Sequence, residues 1–249
     1  MYPDHPEGAP CWADARLPDV EAGKRFYGDL FGWTFDEGAG AERGYYTAAY
    51  SHDLAVAALA PGGRGWTVHF AVRDAYAAAE RTVAAGGYLL SGPFPGGTMA
   101  TVALAAGPDG SVFGLWQAGS HQGFERAGAP GAVCRAELWT PEAALSDAFY
   151  AAVLGYPRAP VGGSDLHTWR AASPAGAAPA VPGAGRRRVP QWPARFLVQF
   201  GSADLAGNCA EAVRLGGHVR VAPHRTPYGH IAVLADDQGT DFVLLGPVR

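Results

Sequence analysis

Internal repetition constrains this chain more than any other feature, because a repeated pattern must fold as a repeated unit. Residues 17–33 and 140–156 align at a spacing of 123. Pro18 falls on Pro141, Asp19 on Glu142, Phe26-Tyr27 on Phe149-Tyr150, Gly32 on Gly155 and Trp33 on Tyr156. Residues 73–87 and 203–217 align at a spacing of 130, through Asp74 with Asp204 and Gly86-Gly87 with Gly216-Gly217. The chain is therefore two similar halves, each made of two modules.

Each module reads as a strand, a helix and then two or three strands. Asp19, Asp74, Glu142 and Asp204 mark four helix starts, where an acid meets the positive end of the helix dipole, and Pro18 and Pro141 suit a helix entry. Leu145, Ala148, Phe149, Ala152 and Val153 recur at helical spacing. Gly32, Gly86, Gly155 and Gly216 suit the left-handed residue that closes a helix. Short runs predict strands at 44–51, 54–60, 98–105, 112–117, 230–234 and 242–245, with matching turns at 108–110 and 237–239. The modules then span about 9–62, 63–119, 131–185 and 190–249, grouped as domains 1–123 and 130–249 around a Gly- and Ala-rich linker at 119–131. Residues 171–188 are expected to hold the weak last strand of the third module and an exposed loop, ending in Arg186-Arg187-Arg188, which reads as a solvated run with an anion grip as the alternative.

Charge and composition narrow the partners. Nineteen Lys and Arg against 23 Asp and Glu leave a net charge of −4, with no basic surplus to recruit nucleic acid or an anionic membrane. No apolar run approaches the ~18 residues of a membrane span, and the N-terminus lacks the basic and apolar regions of a signal peptide. Cys11, Cys134 and Cys209 form no CxxC pair, which suits buried thiols in a reduced, cytoplasmic protein. No dinucleotide fingerprint, phosphate-binding Gly motif or Ser/His/Asp signature is present, so no cofactor is expected. A monomer or a homodimer fits, since four modules in one chain suffice for two complete sheets.

The modular pattern, with its Phe-Tyr…Leu-Phe-Gly-Trp helix end and its Pro108-Asp109-Gly110 turn before a last strand, resembles the vicinal oxygen chelate superfamily, the glyoxalase, bleomycin-resistance and extradiol-dioxygenase group. The resemblance covers essentially the whole chain. It implies an α+β fold of four βαβββ modules, forming two cup-shaped mixed sheets with helices outside. It also implies where a metal would sit: a His or Gln seven residues before each helix-start acid, and a Glu on the last strand of the module. Those positions hold Trp12, Thr67, Arg135 and Leu197, with Gly114 and Val243 on the last strands of the second and fourth modules. None of these supplies the O or N donors that a divalent ion needs, so no metal site is expected.

Strand alternation selects the residues that line the cups. Val68, Phe70 and Val72 form one apolar face, leaving Thr67, His69 and Ala71 on the other. The same parity turns Trp12, Asp14 and Arg16 inward in the first module, Arg135, Glu137 and Trp139 in the third, and Leu197, Gln199 and Gly201 in the fourth. Cys11 and Cys134 fall on the opposite face and read as packing thiols. Asp14, His69, Glu137 and Gln199 form an equivalent polar set. Paired with Asp14 or Glu137, depending on which modules share a sheet, His69 is a candidate general base or acid, while the alternative is a hydrogen-bonded floor. Trp12, Arg16, Thr67, Arg135, Trp139, Gln199 and His230 are candidate ligand contacts. Tyr46, Phe94, Trp116 and Trp169 either extend the aromatic lining or belong to the core. His167 is placed with Trp169 on a strand facing a cup, His224 and Tyr228 at a rim, and His5, His52 and His121 in loops without a role.

Two functions follow. One is a metal-free binding protein for a flat or amphipathic small molecule, the reading that the resemblance to bleomycin-resistance proteins implies, linked to bacterial secondary metabolism or resistance. The other is a metal-free acid–base enzyme of natural-product biosynthesis, a cyclase, isomerase, lyase or hydrolase using His69 with a carboxylate.

Overall fold

The computed structural model describes residues 5–37, 46–157, 165–170, 172 and 180–247. The first module comprises β1 (Pro10–Leu17), α1 (Val20–Phe31), β2 (Thr34–Phe35), β3 (Thr47–Ser51) and β4 (Leu54–Pro61). The second comprises β5 (Gly65–Ala71), α2 (Ala75–Ala84), β6 (Tyr88–Gly96), β7 (Ala100–Ala106) and β8 (Val112–Ala118). The third holds β9 (Val133–Thr140), α3 (Ala143–Leu154), β10 (Leu166–Arg170) and β11 (Gly183–Arg188). The fourth holds β12 (Arg195–Gly201), α4 (Leu205–Arg214), β13 (His218–Thr226), β14 (Gly229–Ala235) and β15 (Asp241–Gly246).

The fold is α+β, as the resemblance implies. Modules one and two share an eight-stranded sheet in the order β2-β3-β4-β1-β5-β8-β7-β6. Modules three and four share a seven-stranded sheet in the order β10-β11-β9-β12-β15-β14-β13. Neither sheet closes into a barrel. In each module the first strand runs parallel to the last, as in β5 with β8 and β12 with β15, and all the candidate site residues but His230 lie on the first strands. No helix among the described residues is long and apolar enough to cross a membrane.

The helix-start acids serve as caps. Asp19 accepts from the Ala22 N–H, Asp74 from Tyr76 and Ala77, and Asp204 from Gly207, each satisfying donors that a helix leaves open at its first turn. Glu142 holds the equivalent place without such a bond, and its own N–H donates to Thr140 Oγ1 at 3.1 Å. Gly32 and Gly155 close α1 and α3 at φ 70° and 72°, the left-handed conformation that glycine adopts without a Cβ penalty.

By spatial contact the chain forms two compact units, and each draws on both halves of the repeat. One combines Met1–Trp12, Thr67–Gly123 and Arg135–Phe196. Its core is built where α3 brings Phe149 and Tyr150 onto Phe113, with ring centroids 5.9 and 5.3 Å apart, and where Tyr150 also meets Phe196 and Trp169. The other combines Ala13–Trp66, Phe124–Cys134 and Leu197–Arg249. There Tyr27 and Phe31 of α1 pack on Trp33, Phe200 and Phe242, and the buried Tyr27 hydroxyl donates to Asp236 at 3.0 Å. The sequence halves follow the repeat, whereas these units follow the packing of helices.

Two expectations for the third module are corrected. Arg186-Arg187-Arg188 is strand, not loop: β11 runs parallel to β9, pairing Arg186 with Leu138 and Arg187 with Trp139. Arg186 is buried and donates to Asp147 Oδ2 of α3 through Nε at 3.0 Å and Nη2 at 2.7 Å. His167 and Trp169 do not turn to a cup either. Both meet the same carboxylate, at 3.1 and 2.6 Å, on the face that α3 covers. Burial raises the Asp147 carboxyl, but the hydrogen bonds from Arg186, Trp169 and His167 outweigh it and hold the group below the ordinary carboxylate range. Residues 171 and 173–179, in the expected loop, lie outside the described residues.

Candidate functional site

His69 stands on β5 opposite Gly114 of β8. A Cβ built on Gly114 would lie 1.9 Å from His69 Nδ1, so the imidazole occupies the space directly over the glycine. The ring meets Trp116 edge-on at 5.7 Å. Trp116 in turn meets Trp12 at 6.3 Å, and His121 closes the group edge-on, 4.6 Å from Trp12 and 5.4 Å from Trp116. The Trp116 indole N–H donates to the His121 carbonyl at 3.3 Å. Trp12 is fully buried and His69 is 3% exposed, so the inward face of this part of the sheet is packed with its own rings. His121, expected to sit idle in a loop, is part of that packing; its neighbour Trp12 is remote in sequence, so no local signal marked it.

Beside Trp116 lies an open cleft of about 420 Å³, lined by the N-terminal segment at His5, Pro6 and Glu7, by the ends of β5 and β8, and by Gln122. Asp14 is buried and accepts from the Tyr46 hydroxyl at 3.3 Å. Arg16 is exposed and donates to the Pro61 carbonyl, and Thr67 is half-buried. Phe94, expected in the aromatic lining, is 62% exposed on β6, an edge strand of the sheet.

In the seven-stranded sheet Glu137 is fully buried. Its carboxylate accepts from the Trp139 indole N–H and from Arg187 Nε, both at 2.8 Å, and forms an ion pair with Arg135 Nε at 3.6 Å. Glu137 and His69 belong to different sheets. Arg135 lies across β11 because glycines leave room for it: a Cβ on Gly185 would come within 2.3 Å of its Nη2 and one on Gly183 within 3.1 Å of its Nη1. Arg187 holds its guanidinium 5.7 Å from the Trp139 ring centroid, and Trp139 meets Trp192 at 4.8 Å. Arg187 reads as solvated in the sequence because Gly183 and Gly185 give β11 no alternating apolar pattern; only the pairing with β9 sets its parity.

Gln199 on β12 faces Val243 of β15, is fully buried, and has no hydrogen-bond partner on either amide atom among the described residues. Leu197 is buried beside it on the same strand, and His230 on β14 is half-buried with Nδ1 3.5 Å from the Pro247 carbonyl. The thiols are structural. Cys11 Sγ donates to the His69 carbonyl at 3.4 Å and burial pushes its pKa well up, while burial raises Cys134 to about 11.

The residues present do not fit a divalent ion at the family positions. Trp12, Thr67 and Leu197 offer an indole, a hydroxyl and an alkyl group, and Arg135 brings a cation already matched to Glu137. The last-strand position of the second module, Gly114, is overlaid by the His69 ring, which leaves no room for a carboxylate there. Among the described residues, no three or more His, Cys, Asp or Glu side chains are grouped to hold a metal.

Comparison with known proteins gives consistent results. The model of the glyoxalase/bleomycin resistance protein/dioxygenase superfamily matches residues 12–115, and that of a glyoxalase-like domain matches residues 133–245. The anthracycline biosynthesis protein DauV of Streptomyces sp. strain C5 is 34% identical, over 94% of this chain and 92% of that protein. The putative glyoxylase CFP32 of Mycobacterium tuberculosis is 32% identical, over 98% and 97%. Among solved structures, the 2,3-dioxygenase LapB of Pseudomonas sp. KL28 superposes with a TM-score of 0.63 at 16% identity, covering 98% of this chain and 94% of that one, a likeness of fold.

Proposed function

We propose, from the premise that this chain belongs to the glyoxalase/bleomycin resistance protein/dioxygenase superfamily, that it binds a flat or amphipathic small molecule of bacterial secondary metabolism without a metal ion. The observation that carries the reading is the His69 ring over Gly114, which puts an imidazole where the family pattern calls for a metal-binding carboxylate. A relative named for anthracycline biosynthesis, similar over nearly its whole length, supports the metabolic setting. Trp116, which borders the open cleft, would supply stacking to such a molecule.

The test is a titration with a planar polyketide quinone, read by tryptophan quenching with and without a chelator, beside elemental analysis of the purified protein. Saturable binding that the chelator leaves unchanged is expected. Stoichiometric zinc, iron or manganese, or binding abolished by the chelator, would overturn the reading.

A second reading, a metal-free acid–base enzyme, draws on the placement of His69, a buried imidazole whose opposing strand position is a glycine. His69→Gln separates the two: an enzyme keeps its affinity and loses conversion, whereas a binding protein releases its ligand chemically unchanged with either residue in place.

A further inference from the structure

Two corners of the molecule share a backbone and differ in their side chains. At the first, the Gly8 N–H donates to the Ala71 carbonyl at 2.8 Å, Ala71 N–H to Ala9 at 2.9 Å, and Val72 N–H to Trp116 at 2.9 Å. At the second, Gly131 N–H donates to Gly201 at 2.9 Å, Gly201 N–H to Ala132 at 3.0 Å, and Ser202 N–H to Leu245 at 2.9 Å. The matching bonds fix the equivalences Glu7 with Pro130, Arg73 with Ala203, Trp116 with Leu245 and Gln117 with Gly246. The fold therefore builds this corner without Glu, Arg, Trp or Gln. In the first half all four are present, and all four line the 420 Å³ cleft.

We propose that this cleft is a binding site for a planar aromatic molecule that carries an acid group. Its volume falls in the range of ~300–1,000 Å³ typical of small-molecule sites. Trp116 gives it an apolar wall. Gln117 Oε1 accepts from the Ala75 N–H at 2.9 Å, leaving its amide N–H groups to donate to a ligand, while Gln122 Nε2 donates to the Gly119 carbonyl at 2.6 Å, leaving its oxygen to accept. Arg73, with its side chain 92% exposed, forms an ion pair of 3.6 Å with Glu7, which also accepts from the Arg73 backbone N–H at 3.0 Å; the exposed ion pair is weak enough for an acid to compete with. The walls are set in advance. The Glu7 carbonyl accepts from Arg170 Nη2 at 2.8 Å and the Gly8 carbonyl from the Tyr156 hydroxyl at 2.5 Å. Gly123, at φ 110°, lets the loop after β8 press against the Cys11 carbonyl, where a Cβ would come within 2.2 Å. This assignment rests on the small-molecule reading above and adds to it a place and an acid group.

The test uses 1-anilinonaphthalene-8-sulfonate and its uncharged parent 1-anilinonaphthalene as fluorescent probes of the full chain. Wild type is expected to bind the sulfonate saturably. Ala118→Trp, which fills the cleft from β8, should weaken it by about tenfold or more. Arg73→Ala should weaken the sulfonate by about fivefold and leave the parent unchanged. Arg73 is exposed, so this variant keeps the test decisive even if Ala118→Trp fails to fold. Sulfonate binding that survives both substitutions but is lost in His69→Trp overturns the cleft and leaves the small-molecule reading standing. Failure of wild type to bind either probe, or the polyketide quinone, overturns both.

Discussion

In the first half of the chain His69 of β5 faces Gly114 of β8; in the second half Gln199 of β12 faces Val243 of β15, in the same parallel register. Glycine leaves a seat, and an imidazole fills it. Valine leaves none, and Gln199 is buried with both amide atoms unbonded. The corners beside these pairs differ in the same sense, with Glu7, Arg73 and Gln117 in one and Pro130, Ala203 and Gly246 in the other. The repeat has kept its backbone while its side chains diverged, so the chemistry of each sheet has to be read from that sheet alone. At α3 the divergence runs the other way: Asp147 gathers Arg186, His167 and Trp169, whereas its repeat equivalent on α1, Lys24, pairs with Glu21 near the surface.

That last contrast gives the largest expected effect. Asp147→Ala strands the buried Arg186 guanidinium and should cost about 3–5 kcal/mol, whereas Lys24→Ala should cost less than about 1 kcal/mol. Urea denaturation of the two variants measures both, and equal losses would erase the distinction between the helices. The same network sets an acid limit. Because the folded pKa of Asp147 lies below its unfolded value, its contribution holds above the unfolded value and is lost as pH falls through the folded one, so the wild-type and Asp147→Ala stability curves should converge in acid.

Gly114→Val comes next. It places the second half's residue beneath the first half's ring and should cost about 1–3 kcal/mol, the usual penalty of an overfilled core. Adding His69→Ala should recover part of that loss, a coupling that a double-mutant cycle reads directly. Strict additivity would mean that His69 and Gly114 do not share the space. The smallest effect is expected at Gln199→Leu, which removes an unbonded buried amide and should be neutral or stabilising by up to about 1 kcal/mol. A loss above about 2 kcal/mol would show that the amide has a partner in solution.

Much of this is legible in the sequence. Helices and their starts announced themselves through local rules: apolar spacing, an acid at the cap and a glycine beyond the last turn. Alternation around Phe70 placed His69 on the face away from the aromatic core formed with Phe113 and Phe196. What failed was non-local. Arg186 and Arg187 read as a solvated run because the partners that hold them, Asp147 and Glu137, lie 39 and 50 residues away. Trp169 was given to a cup lining because five residues of β10 carry too little alternation to show which face α3 covers. His121 was set aside because a loop has no parity to read.

The sequence by itself determined the fourfold module, its helix starts and ends and the residues that stand at the family's metal positions, because each depends on residue identity at a fixed spacing. Only the tertiary structure decided which modules share a sheet, that His69 fills the space over Gly114, and that Glu7, Arg73, Trp116 and Gln117 come together around one open cleft. Those outcomes depend on which distant side chains compete for the same volume, and spacing along a chain carries no information about that.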